Sequence, residues 1–241
     1  MKAIILVAGA SRRLLPYTAE VPKCLLEVGG KTILDYQLDA IEELGVTEVI
    51  IVTGYRREQV HEALAARAAG LHITPFVNHQ FFDTNTAYSL ALVREAFAGE
   101  QILYMNGDVL FTTQLLRRVQ EAAAANPMAV EHKRCGDEEV KVIVNDGGRI
   151  LEVSKELDPA ASLGEFIGVA RFDAAFTTPF ADALDRVIAA GERTAYFERA
   201  LDLLAADHPL HAIDVTDLPC IEIDFPEDLQ KAREMARKFE S

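Results

Sequence analysis

KAIILVAGASRRLLPYTAEVPKCLL, residues 2–26, joins two unlike pieces of chain. KAIILV is an aliphatic run edged by a glycine, the pattern of a buried strand. The segment after it is a poor helix and a poor strand. It combines Gly9, the prolines Pro16 and Pro22, and the cations Arg12, Arg13 and Lys23. Gly9 lets the backbone turn closely, and the N–H groups that follow can face an anion. The prolines hold the loop in an extended path, which limits the entropy lost on binding. A polyanion such as a nucleoside triphosphate suits that design.

The rest of the chain makes this cationic loop conspicuous. Across 241 residues, 38 Asp and Glu stand against 24 Lys and Arg, a net charge of -14. That balance argues against a nucleic-acid or anionic-membrane partner, so a local basic cluster needs a local cause. Half the residues are hydrophobic, as in a globular protein, and no stretch is long enough to cross a bilayer. The apolar start is too short for a signal peptide and runs into an arginine pair, so the expected location is the cytoplasm. Cys24, Cys135 and Cys220 are scattered and odd in number, which fits neither a disulfide framework nor a zinc site.

Working outward, strands and helices alternate through the first half. TILDYQLDAIEELG (32–45) reads as an amphipathic helix with Thr32 as N-cap and Gly45 closing it. TEVIIVTGY is a second strand, RREQVHEALAARAAG (56–70) a helix and LHITPFV a strand. NTAYSLALVREAF is a helix capped by Asn85 or Thr84, QILYMNGD a strand, and TTQLLRRVQEAAAAN (112–126) a helix. Such alternation implies parallel βα units with right-handed crossovers. The second half differs. MAVEHKR, EVKVIV, RILEVSK and GEFIGVARF are strand-like, with a hairpin signal at NDGG. PFADALDRVIAAG (179–191) and TAYFERALDLLAA (194–206) read as helices, HPLHAIDV and PCIEIDF as strands, and PEDLQKAREMARKF (226–239) as a last helix with Pro226 in its first turn. The expectation is a single α/β domain, residues 1–241. It has a Rossmann-like, mixed and mostly parallel sheet flanked by helices, with an antiparallel insertion around 128–172. Its halves would be 1–127 for nucleotide and 128–241 for acceptor. The insertion's aliphatic surface is a possible homodimer face.

Two common phosphate loops are absent. A dinucleotide fingerprint needs three glycines spaced GxGxxG, and a Walker A loop needs glycine where Leu25 precedes GGKT. GGKT at 29–32 therefore reads as a turn into a helix. On charge alone the opening loop reads equally well as a solvated turn.

The pattern of Gly9, Arg13, Leu14, Pro16, Thr18, Pro22, Lys23 and Leu25 decides between these readings. It resembles the signature loop of the nucleotidyltransferases that make nucleotide sugars and CDP-alcohols, roughly AGxGxRLxPLTxxxPKxLL. The likeness extends over essentially the whole chain and implies the nucleotide-diphospho-sugar transferase fold. It implies Ala8, Gly9, Ala10 and Ser11 as nucleotide-binding residues, and Arg13 and Lys23 as catalytic cations. One position departs: Ser11 stands at the family's second glycine and takes positive φ less readily. NGDVLF (106–111) resembles the family's GD motif, which implies Asp108 as a catalytic metal ligand. CIEIDFPEDLQKAR (220–233) resembles its C-terminal acidic segment, which implies Asp224 as the second. Mg²⁺ suits such a pair, because it prefers oxygen donors from one or two carboxylates plus phosphates. SKEL (154–157) and GEFIGVARFD resemble the acceptor region and imply Lys155, Glu165 and Gly168 there. NHQFFDTNTAYSL (78–90) resembles the base-recognition loop and implies Asn78, Asn85 and Ser89, with Tyr88 at least as apt for the core.

The implied reaction joins a phosphorylated acceptor to the α-phosphorus of an NTP and expels pyrophosphate. The loop, the DYQLDAI helix and the EIDFPEDL ending are most similar to phosphocholine and phosphonate cytidylyltransferases. That implies CTP as donor and a small phospho- or phosphono-alcohol as acceptor. A chain without tryptophan is poorly equipped for a choline cage. The alternatives are a sugar-1-phosphate nucleotidyltransferase and a non-catalytic nucleotide-binding module.

Overall fold

The computed structural model describes residues 1–67, 70–237 and 239. Its first half contains β1 (Lys2–Val7), β2 (Glu27–Val28), β3 (Lys31–Thr32), α1 (Ile33–Glu43), β4 (Glu48–Thr53), α2 (Arg57–Ala66) and β5 (His72–Val77). Next come α3 (Thr86–Phe97), β6 (Ile102–Asn106), β7 (Val109–Phe111) and α4 (Thr113–Glu121). The second half contains β8 (Pro127–Glu131), β9 (Lys141–Val144), β10 (Ile150–Ser154), β11 (Gly164–Phe172), α5 (Ala174–Ala189) and α6 (Glu198–Asp202). β12 (His211–Asp214), β13 (Cys220–Glu222) and α7 (Pro226–Ala236) complete it.

The main sheet runs β10-β9-β11-β6-β1-β4-β5, with β8 and β12 branching from β11. β5, β4, β1 and β6 are mutually parallel, whereas β11 is antiparallel to β6. The expected mixed sheet with an antiparallel insertion is therefore the fold of this chain. Connections after β1 go to one side of the sheet and those after β5 cross to the other. The topological switch lies between β1 and β6, and ligands bind at the carboxyl ends of such strands. β5 is an edge, where Pro75 needs no partner for its missing N–H.

β1 is buried on both faces and divides the core. Ile4 and Leu6 pack with Phe97, Phe172, Phe180 and Phe197 on one side. Ala3, Ile5 and Val7 pack with Leu34, Leu38, Ile41 and Leu116 on the other. A third cluster, holding Leu14, Ile33, Leu110, Ile223 and Leu229, lies under the opening loop. Thr32 caps α1 in a reciprocal box with Asp35, as expected, and Asn85 caps α3. The NDGG turn joins β9 and β10 as an antiparallel pair. Among the described residues no helix is long and apolar enough to cross a membrane.

Several boundaries differ from expectation for identifiable reasons. α4 stops at Glu121 because Arg171 takes the carbonyls of Gln120, Ala122 and Ala124 at 2.7–2.9 Å. α5 begins before Pro179, which sits inside it; burial of Phe176 and Phe180 outweighs one missing hydrogen bond. The helix expected over 194–206 shrinks to Glu198–Asp202. β13 leaves the main sheet and pairs with β7, a strand the sequence reading did not separate from the GD turn. The expected ends of the second and last helices run through 68–69 and 238, outside the described residues.

Candidate active site

The opening loop is held by its own atoms. Arg12–Leu14 and Lys23–Leu25 form single 3-10 turns, and the Thr18 hydroxyl donates to the Ser11 carbonyl at 2.9 Å. Leu14 anchors the loop in the third cluster, fully buried. Ser11 adopts the left-handed conformation at φ 45°, with no capping bond from its side chain. Serine at this position therefore holds a left-handed backbone at some strain. Gly9 has no left-handed φ, and a Cβ on it would meet no atom within 4 Å. Its missing side chain leaves room in the cavity rather than serving the turn.

The GD turn depends on its glycine in the other way. A Cβ on Gly107 would stand 2.3 Å from Val7 Cγ1 and 2.7 Å from the Leu6 carbonyl. Only glycine lets the end of β6 cross so close to β1. Gln37, fully buried on α1, donates to the Asn106 and Val109 carbonyls at 2.8 and 2.9 Å and braces the turn from below. The β7–β13 pairing then carries the C-terminal acids to Asp108. The Ile223 N–H donates to the Asp108 carbonyl at 3.0 Å. Glu222 and Asp224 are two residues apart on extended backbone, so both face the same way.

One carboxylate oxygen each from Asp108, Glu222 and Asp224 lie within 4.8 Å of one another. Lys23 donates to Asp108 Oδ2 at 3.0 Å and to Asp224 Oδ1 at 2.7 Å. Burial works against the Lys23 charge, but the two aspartates outweigh it and hold the ammonium's pKa above the ordinary lysine value. Arg13 donates to Asp224 Oδ2 at 2.6 Å and to Glu138 Oε2 at 2.8 Å. Burial would raise the Asp224 carboxyl, yet Lys23 and Arg13 bring it below the usual range. Glu222 has the opposite fate: burial, then the charges of Asp108 and Asp224, push it well up. Asp108 Oδ1 is buried with no hydrogen-bond partner. Three converging carboxylates and an orphaned oxygen fit a hard divalent cation such as Mg²⁺.

These groups line a cavity of about 280 Å³ that also includes Ala8, Gly9, Ser11, Asn78, Asn85, Ser89 and Lys155. Ala10 is not among its lining residues. Asn78 is 1% exposed and committed to its own loop. Its amide donates to Thr84 and Ser89 at 3.0 and 3.1 Å, and its oxygen accepts from the Gln80 N–H at 2.9 Å. Tyr88 is half-buried, its ring 5.0 Å from the Arg193 guanidinium. The Lys155 ammonium lies 4.8 Å from the centre of the Tyr196 ring, and both residues line the cavity. Glu165 and Gly168 lie elsewhere. Glu165 opens into a neighbouring acidic groove and pairs with Lys133 at 2.5 Å. Gly168, at φ 75° in an irregular stretch of β11, packs against the Asn106 side chain. Alternation explains the split: Phe166 faces the cavity, so its neighbour Glu165 faces away.

Sequence reasoning missed Glu222, Gln37, Tyr196 and Glu198. Glu222 had a signal in its spacing from Asp224. Gln37 had one as a polar residue in the apolar stripe of Leu34, Leu38 and Ile41. Tyr196 and Glu198 sit at a short irregular helix with no periodicity to read.

A switch-point cavity that gathers a cationic loop and converging carboxylates has the charges that phosphate transfer on an α/β sheet requires. The chain belongs to the MobA-like NTP transferase domain family, whose profile matches residues 3–234. It is a nucleotidyltransferase. It is 29% identical over 259 residues to the CMP-5'-(3-aminopropyl)phosphonate synthase of Streptomyces rubellomurinus, a match that covers 100% of this chain and 41% of that protein. It is 29% identical over 242 residues to the UTP–glucose-1-phosphate uridylyltransferase AglF of Haloferax volcanii, covering 97% of this chain and 96% of that one. Its fold matches the CTP:phosphocholine cytidylyltransferase structure from Streptococcus pneumoniae with a TM-score of 0.80 at 23% identity, over 97% and 98% of the two chains.

Proposed function

We propose that the chain transfers CMP from CTP to a small phosphorylated alcohol or phosphonate and releases pyrophosphate. The observation that carries this is the meeting of Lys23, Asp108, Asp224 and Lys155 at one cavity. An acceptor oxygen attacks the α-phosphorus, the bond to the β-phosphate oxygen breaks, and pyrophosphate leaves with that electron pair. The nucleophile is already anionic, since a phosphate monoester's second pKa is about 6. No proton need move, so no general base is required. The difficulty is repulsion between two phosphate groups, and positioned charge removes it.

Arg13, whose side chain is 43% exposed, neutralises charge growing on pyrophosphate. Lys23 holds the α-phosphate and acceptor region, and Lys155 grips the acceptor's phosphate. Asp108, Glu222 and Asp224 would hold Mg²⁺, which would supply positive charge to offset the repulsion between phosphates. Residues 1–127 carry the nucleotide and 128–241 most of the acceptor contacts. The activity for which the Streptomyces relative is named supports CMP as the transferred group, and the size of the cavity supports a small acceptor.

A sugar-1-phosphate nucleotidyltransferase is the second reading, supported by the Haloferax relative. Pyrophosphate release with each of the four NTPs against phospho-alcohols, phosphonates and hexose-1-phosphates separates them. Turnover is expected to be fastest with CTP and a phospho-alcohol or phosphonate. Turnover confined to UTP and a hexose-1-phosphate overturns the first reading.

A further inference from the structure

We propose that Glu198 selects the acceptor, and that the acceptor carries a protonated primary amine at the end opposite its phosphate or phosphonate. This rests on the CMP-transfer reading and narrows it.

Glu198 is 5% exposed and lines the active-site cavity with Lys155, Tyr196 and Phe166. Its Oε2 is buried and has no hydrogen-bond partner among the described residues. A buried carboxylate oxygen without a partner is costly, and an apolar residue would pack there without that cost. A ligand that brings N–H donors removes the penalty. The charges present fit such a ligand. Lys155 lines the same cavity as Asp224 and Glu198, and its charge acts on both. A phosphonate gripped between Lys155 and the carboxylate cluster would extend a short carbon chain toward Glu198. The carboxyl's pKa, raised by burial to about 7, agrees with a group waiting for a cationic partner.

The same geometry disfavours a trimethylammonium head, which has no N–H to give and relies on aromatic faces. The Tyr196 face already has the Lys155 ammonium 4.8 Å from its centre. The chain contains no tryptophan to take its place.

The test is CTP-dependent pyrophosphate release with three acceptors: 2-aminoethylphosphonate, propylphosphonate as its uncharged isostere, and phosphocholine. In the unmodified protein kcat/KM per acceptor dianion should be about 10–100-fold higher for the amine than for the isostere, the range of a buried charge-assisted hydrogen bond. E198Q should collapse that ratio toward one, chiefly through KM. The wild-type ratio stands even if the variant folds poorly. Equal or better use of propylphosphonate or phosphocholine by the wild type overturns the inference and leaves CMP transfer standing. An unchanged ratio in a folded E198Q protein also overturns it. Pyrophosphate release with hexose-1-phosphate and UTP alone overturns both.

Discussion

Lys23 bridges Asp108 and Asp224, at 3.0 and 2.7 Å, although the two acids lie 85 and 201 residues further along the chain. The fold thus brings a lysine from its first loop between carboxylates from its middle and its end. No local structure explains such an expense, since each charge has left water to reach the others. The arrangement makes sense as a site in which every charge has a use once phosphates arrive.

The first prediction follows from that bridge. K23A and D108A should each lower kcat by at least ~10²–10³, the usual loss for one charged contact in the transition state. Circular dichroism should show the fold retained, because both side chains border the cavity rather than the core. Near-normal turnover in either variant refutes the assigned roles. D108A should also lose a Mg²⁺-dependent rise in Tm that the wild type shows, because ligand binding to the native state stabilises it.

The two glycines of the site should behave in opposite ways. G107A forces a Cβ to within 2.3 Å of Val7 and should cost about 1–3 kcal/mol in urea denaturation, with kcat falling as Asp108 shifts. G9A has open space around its new Cβ and should leave the denaturation midpoint nearly where it was. Its methyl group would take up space in the cavity that Gly9 lines, so CTP affinity measured by calorimetry should fall. Equal stability losses in the two variants would show that Gly9 serves the fold instead.

Ser11 supplies a third test. A β-branched residue tolerates φ 45° poorly, so S11V should cost about 1–2 kcal/mol and weaken CTP binding. S11G relieves the strain but frees the unfolded chain, so its stability should stay within about 1 kcal/mol of wild type. A stable S11V with full CTP affinity would mean that the loop can adopt another shape without loss.

How much of this was legible in the sequence depends on the residue. Lys23 and Asp108 stood in motifs that resemble those of a known family, and β1 announced itself by its unbroken aliphatic run. Helices α1 and α3 carried their own caps. Glu165 was placed with the acceptor by resemblance alone; β11 is buried on both faces, so its sequence shows no alternation that would have turned Glu165 away from the cavity. The β7–β13 pair could not be read from either segment alone, because three-residue strands gain their stability from each other and from the cluster beneath them. Glu198 gave no signal at all; its meaning lies in what surrounds it after folding.

The last prediction concerns pH. Burial raises the Glu198 carboxyl to about 7, so it is mostly neutral at pH 6 and mostly ionised at pH 8. Two titratable groups act with it: Lys155, just after β10, and Tyr104 on β6, whose phenol burial holds neutral throughout this range. An ionised Glu198 attracts an ammonium and a protonated one does so far less. The acceptor amine stays protonated from pH 6 to 8, because alkylammonium groups titrate near 10. Preference for 2-aminoethylphosphonate over propylphosphonate should therefore rise several-fold from pH 6 to pH 8. Each rate is expressed per acceptor dianion, because the ammonium lowers the second pKa of its own phosphonate and the two acceptors therefore titrate differently. E198Q should flatten the profile, since its amide does not ionise. A wild-type preference that stays level, or that falls as pH rises, would place the amine's partner on some other residue.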